Sequence, residues 1–304
     1  MPPLDLTLAS RAPVLDERPL SKRVGLIILA TDHTTEVDFQ RMVAGDRIGV
    51  YATRIPYANP VTPENLRAMQ PSLTMGAALI LPDAPLDVVM YSCTSASVVI
   101  GDANIEAAVK TAKPTAAVLT PTAAAVSGLR ALGAKRISVL TPYTVETSVP
   151  MADYFRSLGF DIARFTCLGL TDDREMARIS PAEIEAANII AARFKEYEAK
   201  ANAAELIHPA FHGNNHPVNV NFGTVEGGEW NSSVPTRARI GMRVGLMIGN
   251  PARKVAAEIE AATGKPVVTS NLATAWATLR LCGDETARPA LGRLMTLAYP
   301  GAAP

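Results

Sequence analysis

Lys22-Arg23-Val24-Gly25-Leu26-Ile27-Ile28-Leu29-Ala30 is a basic pair followed by an unbroken apolar run, and the polar stretch Thr31-Asp32-His33-Thr34-Thr35-Glu36 comes directly after it. A short run of that composition, with no polar residue at alternate positions, suits a strand buried on both faces. The polar stretch then reads as the loop that opens a helix. Residues 47–55 and 87–91 are further apolar runs of the same kind, and helical stretches lie between and after them at 36–43, 62–78 and 104–112. Buried strands alternating with helices are the signature of α/β layers around a parallel sheet.

After residue 134 the rhythm starts again. Lys135-Arg136 precedes apolar residues 137–140, residues 151–158 read as a helix, and 160–170 read as a strand ending in a polar loop. Matching phrases close the two halves. Ala112-Lys113-Pro114-Thr115 leads to Thr120-Pro121-Thr122-Ala123-Ala124, and Gly264-Lys265-Pro266-Val267-Val268 leads to Thr269-Ser270-Asn271-Leu272-Ala273. The helices before them also rhyme, Asn104-Ile105-Glu106-Ala107-Ala108 against Glu258-Ile259-Glu260-Ala261-Ala262. We read an internal duplication.

The expected fold class is therefore α/β, with two pseudo-symmetric lobes, each a parallel sheet flanked by helices. The first lobe is 23–134 and the second is 135–186 together with 255–304. Residues 1–22 lack any period and are expected to be a flexible tail. Residues 187–254 break the pattern with Pro209, Pro217, Pro235, the pair Gly227-Gly228 and alternating runs at 218–222 and 237–244. That composition predicts a β-rich, hairpin-forming segment that has been inserted or exchanged. Its end, 247–250, is apolar and immediately precedes the rhyming helix, so it is expected to serve as the third strand of lobe two.

The 304 residues carry 29 basic and 29 acidic side chains, so the formal net charge is zero, and the sequence pI is about 6.9. No charge bias argues for nucleic acid. No apolar stretch is long enough to span a bilayer, and the N-terminus lacks the pattern of a signal peptide. Three widely spaced cysteines fit a reducing compartment better than a disulfide framework. The expectation is a soluble cytoplasmic protein without nucleic-acid or membrane partners. Phosphate-binding glycine loops, dinucleotide fingerprints, a nucleophile elbow and a C-x-x-C pair are all missing from the sequence.

Cys93 is the sharpest candidate for chemistry. It ends an expected strand and is followed by Thr94, Ser95, Ala96 and Ser97, which run into a helix. Strand carboxyl ends are where open α/β sheets place ligands. The start of a helix offers N–H groups to a carboxylate, and its dipole would favour the thiolate. His33 and Thr34 are expected near a substrate carboxylate, with Thr34 or Thr35 capping the helix. Tyr143 and Thr144 occupy the equivalent strand end of lobe two, which predicts a cleft between the lobes. Cys167 and Cys282 read as packing residues. His208, His212 and His216 have the spacing of metal ligands on a helix, but Pro209, Gly213 and Pro217 break that helix, so no metal is assigned.

Several phrases together resemble the aspartate/glutamate racemase superfamily, in the branch of maleate cis-trans isomerases and arylmalonate decarboxylases. They are Arg23-Val24-Gly25-Leu26-Ile27 with Thr34-Thr35-Glu36, Tyr91-Ser92-Cys93-Thr94-Ser95, Val139-Leu140-Thr141-Pro142-Tyr143, and Gly264-Lys265-Pro266-Val267-Val268-Thr269-Ser270-Asn271. The Asp32-His33-Thr34-Thr35 loop looks most like relatives among ectoine-utilisation proteins. The resemblance implies a cofactor-independent isomerase acting on a small mono- or dicarboxylate, with Cys93 as nucleophile and Thr94 and Ser95 at the substrate, in a homo-oligomer. Decarboxylase or racemase chemistry is the alternative within the superfamily, and an inactive binding protein the alternative outside it. The family's second-lobe cysteine has no counterpart here, its place falling at Gly249 or Asn250. His33 stands where many maleate isomerases have Asn, and Asp172-Asp173 where an Asn is usual. Residues 208–235 resemble the lid or dimerisation domain of M20-type amidohydrolases. That likeness implies an interface, and a fragment of such an enzyme is the weakest alternative.

Overall fold

A computed structural model describes residue 4 and residues 7–15, 18–180, 182, 184, 243–247 and 255–300. In lobe one the strands are β1 (Lys22–Leu29), β2 (Ile48–Ile55), β3 (Val88–Tyr91) and β4 (Ala117–Leu119). The helices are α1 (Thr35–Met42), α2 (Pro63–Arg67), α3 (Leu73–Leu79), α4 (Thr94–Ile100), α5 (Asp102–Ala112) and α6 (Pro121–Ala131). Lobe two carries β5 (Arg136–Tyr143), α7 (Val145–Ser157), β6 (Asp161–Leu170), α8 (Asp173–Met176), β7 (Arg243–Met247), α9 (Val255–Thr263), β8 (Val267–Thr269) and α10 (Ser270–Leu281).

Each lobe holds a four-stranded sheet, and the orders match: β2-β1-β3-β4 and β6-β5-β7-β8. Every pairing is parallel. β1 and β3 sit centrally with helices on both sides, so Val24, Leu26, Ile27, Val88, Val89 and Tyr91 are wholly buried. That explains why their sequence reads as continuous rather than alternating. Close packing on β1 and β2 also requires Gly76 of α3, where a Cβ would stand 2.8 Å from a methyl of Ile55.

The structure corrects three element expectations. The helix expected at 62–78 is divided into α2, a 3-10 turn at Gln70–Ser72 and α3. Pro71 in the turn has no N–H to continue an α-helix. The third strand of lobe two is Arg243–Met247, earlier than the expected 247–250. It lies parallel between β5 and β8, so this part of the segment completes the second sheet and is not a hairpin arm. Finally, the expected tail is already engaged before β1, because Arg18 pairs with Asp87 at 3.4 Å. The rest of 187–254, including the lid-like stretch and the three histidines, lies outside the described residues.

The lobes join through helix packing and a C-terminal clasp. α6 of lobe one packs on α10 of lobe two. Trp276 on α10 is fully buried and donates its indole N–H to the Leu297 carbonyl at 2.8 Å. Arg280, 3% exposed, donates to the carbonyls of Leu297, Met295 and Asp284 and so pins the chain that follows α10. Among the described residues no helix is long and apolar enough to cross a membrane.

Candidate functional site

A cavity of about 110 Å³ opens where strand ends from the two lobes face one another. Lobe one contributes the loop after β1, Tyr57 after β2, and the turn Ser92–Ser95 after β3. Lobe two contributes Tyr143 at the end of β5, Asp173 and Met176 of α8, and Asn271 near the start of α10. The lobes are tied together beside it. Asn271 donates its amide to Asp38 of α1 at 3.0 Å, and Asn59 donates to Asp173 at 2.7 Å. The duplication therefore makes the cleft that the strand-end rule predicts.

Cys93 stands between β3 and α4 in extended conformation and is 8% exposed. Its carbonyl accepts from the Ser97 hydroxyl at 2.7 Å and from the Ser97 N–H at 2.9 Å, which holds the residue at the head of the helix. Its sulfur lies 3.7 Å from the Ser95 hydroxyl oxygen. The expected thiolate is not what this environment favours. Burial pushes the thiol up to about 11, the Asp32 carboxylate adds to the rise, and the Ala96 N–H and Ser95 hydroxyl offset only part of it. Desolvation outweighs the helix start here.

The loop after β1 also differs from expectation. Thr34 makes no capping bond with its side chain. Asp32 does that work, accepting from the N–H groups of Thr34 at 2.8 Å and Thr35 at 2.9 Å. A protein carboxylate thus occupies the anion position where a substrate carboxylate was expected. The other Asp32 oxygen accepts from the Thr35 hydroxyl at 2.6 Å, and that hydroxyl lies 2.8 Å from the Ser92 hydroxyl. Since an ionised carboxylate only accepts, Thr35 donates to Asp32 and Ser92 donates to Thr35.

Three phenols neighbour Cys93: Tyr91, whose hydroxyl is hydrogen-bonded with the thiol, and Tyr57 and Tyr143 of the cavity wall. Burial is the largest cause raising the pKa of both Tyr57 and Tyr143, and the neighbouring Cys93 adds to it in each. Both stay protonated and act as neutral donors near pH 7. Asp173 accepts from the Thr31 hydroxyl and from Asn59. Its neighbour Asp172 is paired with Arg174.

Of the expected site residues, Cys93, His33, Thr34, Thr94, Ser95 and Tyr143 all line the cavity. His33 is an exposed residue of its wall. Thr144 does not line it. Its hydroxyl accepts from the Thr147 N–H at 3.3 Å, so it is the N-cap of α7. Tyr57 belongs to the cavity without having been named from the sequence, and Asp32, Asp173 and Asn271 belong to it although none was assigned a role there. All lie just beyond strand ends, so applying the strand-end rule to every strand would have found them. Cys282 is buried, as expected, while Cys167 on β6 is only partly covered. Among the described residues no group of three or more metal-ligating side chains occurs.

Sheet register relates the lobes residue by residue. Met90 pairs with Leu119 just before the capping Thr120, and Leu246 pairs with Val268 just before the capping Thr269. Leu246 is thus the counterpart of Met90, and counting onward makes Gly249 the counterpart of Cys93. Both Gly249 and Asn250 lie outside the described residues.

A family model for arylmalonate decarboxylase matches residues 70–207. The maleate isomerase of Pseudomonas putida is 25% identical over 290 residues, covering 91% of this chain and 98% of that protein. Two solved structures share the fold across both lobes. A maleate cis-trans isomerase of Nocardia farcinica, a cysteine-to-serine variant with a covalently bound succinylcysteine intermediate, has a TM-score of 0.67 at 23% identity, covering 90% of this chain and 98% of that one. The maleate isomerase Iso of Pseudomonas putida, a cysteine-to-alanine variant with maleate, has a TM-score of 0.66 at 23% identity, covering 91% and 98%.

Proposed function

We propose that the chain is a member of the maleate isomerase and arylmalonate decarboxylase branch of the aspartate/glutamate racemase superfamily, and that it is a cofactor-independent cis-trans isomerase of a small unsaturated carboxylate with Cys93 as nucleophile; the family-model match and the Pseudomonas putida relative support the reading. The observation that carries the reading is the placement of Cys93 in the cavity between the lobes, with Tyr143 and Tyr57 in the same wall. The covalent succinylcysteine of the Nocardia farcinica relative supports it.

The chemistry balances without any added reagent. Cys93 reacts as its thiolate, the proton having left to solvent through the cavity mouth; the Asp32 carboxylate opposes that ionisation. Sulfur forms a bond to one olefinic carbon while the π pair moves onto the adjacent carbon and its carboxylate as an enediolate. The former double bond is now single and rotates. The pair then returns, the carbon–sulfur bond breaks, and the trans alkene leaves as Cys93 regains its proton. Tyr143, a neutral phenol in the cavity wall, is a donor for the developing oxyanion charge. Addition, rotation and elimination gain from a second acid–base group but do not require a matched pair. Two-base racemisation asks more.

The test is proton NMR of maleate-like substrates, in which cis and trans vinyl protons separate. Conversion by the parent and none by Cys93→Ser is expected, and undiminished conversion by the variant would remove the nucleophile. A second reading, a binding protein without turnover, draws on the high thiol pKa. It would be favoured by ligand binding with no isomerisation at any pH up to 10. The proposal includes a reducing cytoplasmic setting, since a working thiol must stay reduced. It also includes self-association, to be read from mass by light scattering.

A further inference from the structure

We propose that Tyr91 is a further residue of the reactive centre, whose hydroxyl rests on the Met69 thioether while Cys93 is a thiol and turns to the Cys93 sulfur when that becomes a thiolate; the inference rests on Cys93 being the nucleophile. Tyr91 ends β3, and Cys93 follows two residues later in extended conformation, so the two side chains leave the same face of the chain. Tyr91 and Met69 are both fully buried. Met69 stands at the head of the 3-10 turn after α2, and α2 packs on α4, the helix that Cys93 opens. The Tyr91 hydroxyl donates to Met69 Sδ at 3.7 Å, and it is also hydrogen-bonded with the Cys93 thiol. Both partners of this hydroxyl among the described residues are therefore sulfur atoms.

That pairing matters because the two sulfurs are unequal acceptors. A buried Tyr hydroxyl needs a hydrogen-bond partner, and a thioether is a weak one. A thiolate is a strong one, since hydrogen bonds to an ionised partner are roughly twice as strong as neutral pairs. The hydroxyl thus gains little in the resting site and much in the reacting one, and only such a difference accelerates chemistry. At rest the Cys93 S–H can donate to the phenol oxygen while the phenol donates to Met69. On ionisation the phenol proton stays on its oxygen and swings from Met69 to Cys93. Burial holds the Tyr91 phenol well above its usual range, which keeps that proton in place. Tyr91 then serves whenever charge sits on sulfur: before addition, and again as the carbon–sulfur bond breaks. The other groups acting on this sulfur are the Ala96 N–H, the Ser95 hydroxyl and the Asp32 carboxylate, with the Tyr57 and Tyr143 phenols nearby. Changes at Tyr91 or Met69 leave all of them in the chain.

The experiment is the rate of Cys93 alkylation by iodoacetamide at pH 9 on the full chain, in the parent, Tyr91→Phe, Met69→Leu and the double variant. Loss of a hydrogen bond to the thiolate lowers ionisation by about tenfold, which reads as roughly threefold in rate because the more basic thiolate is the better nucleophile. Tyr91→Phe is therefore expected to slow alkylation by about threefold and to lower kcat for isomerisation at least as much, with KM retained. Met69→Leu removes only the resting partner, so it should speed alkylation when the phenol is present and change nothing in Tyr91→Phe. A merely structural role would not make one change depend on the other in this way. Equal or faster alkylation in Tyr91→Phe, or a Met69→Leu effect that persists without the phenol, would overturn the proposal. Should Tyr91→Phe not fold, Met69→Leu decides alone: faster alkylation supports the proposal, and an equal or slower rate overturns it. Alkylation needs no turnover, so a parent that isomerises nothing would refute the isomerase reading and leave this test standing.

Discussion

The reactivity of Cys93 should climb steeply with pH. Burial holds its thiol at about 11 against a usual 9.0, so the folded protein resists ionisation by a factor of about 100. At pH 8 that leaves roughly one thiol in a thousand as thiolate, where an unperturbed one would show roughly one in ten. Alkylation by a small neutral reagent such as iodoacetamide, followed at the Cys93 peptide by mass spectrometry, reads that fraction directly. The rate should rise about tenfold per pH unit from 7 to 10 and level off near 11. Asp32→Asn removes a negative charge that contributes to the rise, so its profile should move to lower pH with the same slope. Isomerisation should follow the same ascending limb. A rate already level by pH 8 would refute the reasoning, because it would mean that the head of α4 stabilises the thiolate more than burial opposes it.

Other consequences are separately measurable. Gly249→Cys restores a titrating group at the counterpart of Cys93 and should raise isomerisation by about 10²–10⁴-fold, the usual contribution of one positioned acid–base group; a rate equal to the parent's in a variant that still binds ligand would contradict the register argument. Thr144→Ala should cost about 1 kcal/mol of stability in a denaturant titration, as expected for a lost N-cap, with KM unchanged. Arg280→Ala removes a donor from the carbonyls of Leu297, Met295 and Asp284, of which the first keeps the Trp276 indole and the second the Arg288 N–H, and should destabilise by about 1–3 kcal/mol, seen as a fall in Tm. Cys93 and Cys282 are both raised to about 11 by burial, so the native state binds more protons than the unfolded chain between pH 9 and 11. Their stabilisation is complete below pH 9 and is lost as pH climbs through 11, and in Cys93→Ser part of that alkaline loss should vanish.

The lobes were legible because their strands are buried on both faces. Continuous apolar runs such as Val88-Val89-Met90-Tyr91 have one reading, and the helix-opening phrases at Thr120 and Thr269 recur because each side chain caps the helix that follows. The strand at Arg243–Met247 was harder to place. Its neighbours in the sheet are distant in sequence, and alternating residues around it imitate a hairpin. In the site, Cys93 and Tyr143 were found by position at a strand end. Asp32 was passed over as a cap because hydroxyl residues stood nearer the helix, and only the geometry shows its carboxylate reaching both N–H groups. The thiol's acidity was misjudged for a related reason. Sequence reveals the helix start but not how thoroughly the lobes exclude water from it.

The second sheet has one further consequence, for how this architecture tolerates change. Its central strand β5 waits for β7 across roughly 100 residues, whereas β1 meets β3 across roughly 60, yet the added closure entropy is only about 0.5 kcal/mol because it grows with the logarithm of length. A crossover between these two strands can therefore be lengthened or replaced at little thermodynamic expense, provided a short apolar run returns to the groove between β5 and β8. Arg243–Met247 is that returning run. Kinetics set the stricter limit, because lobe two cannot complete its sheet until β7 and β8 near the chain's end have been synthesised, while lobe one can close as soon as β4 emerges.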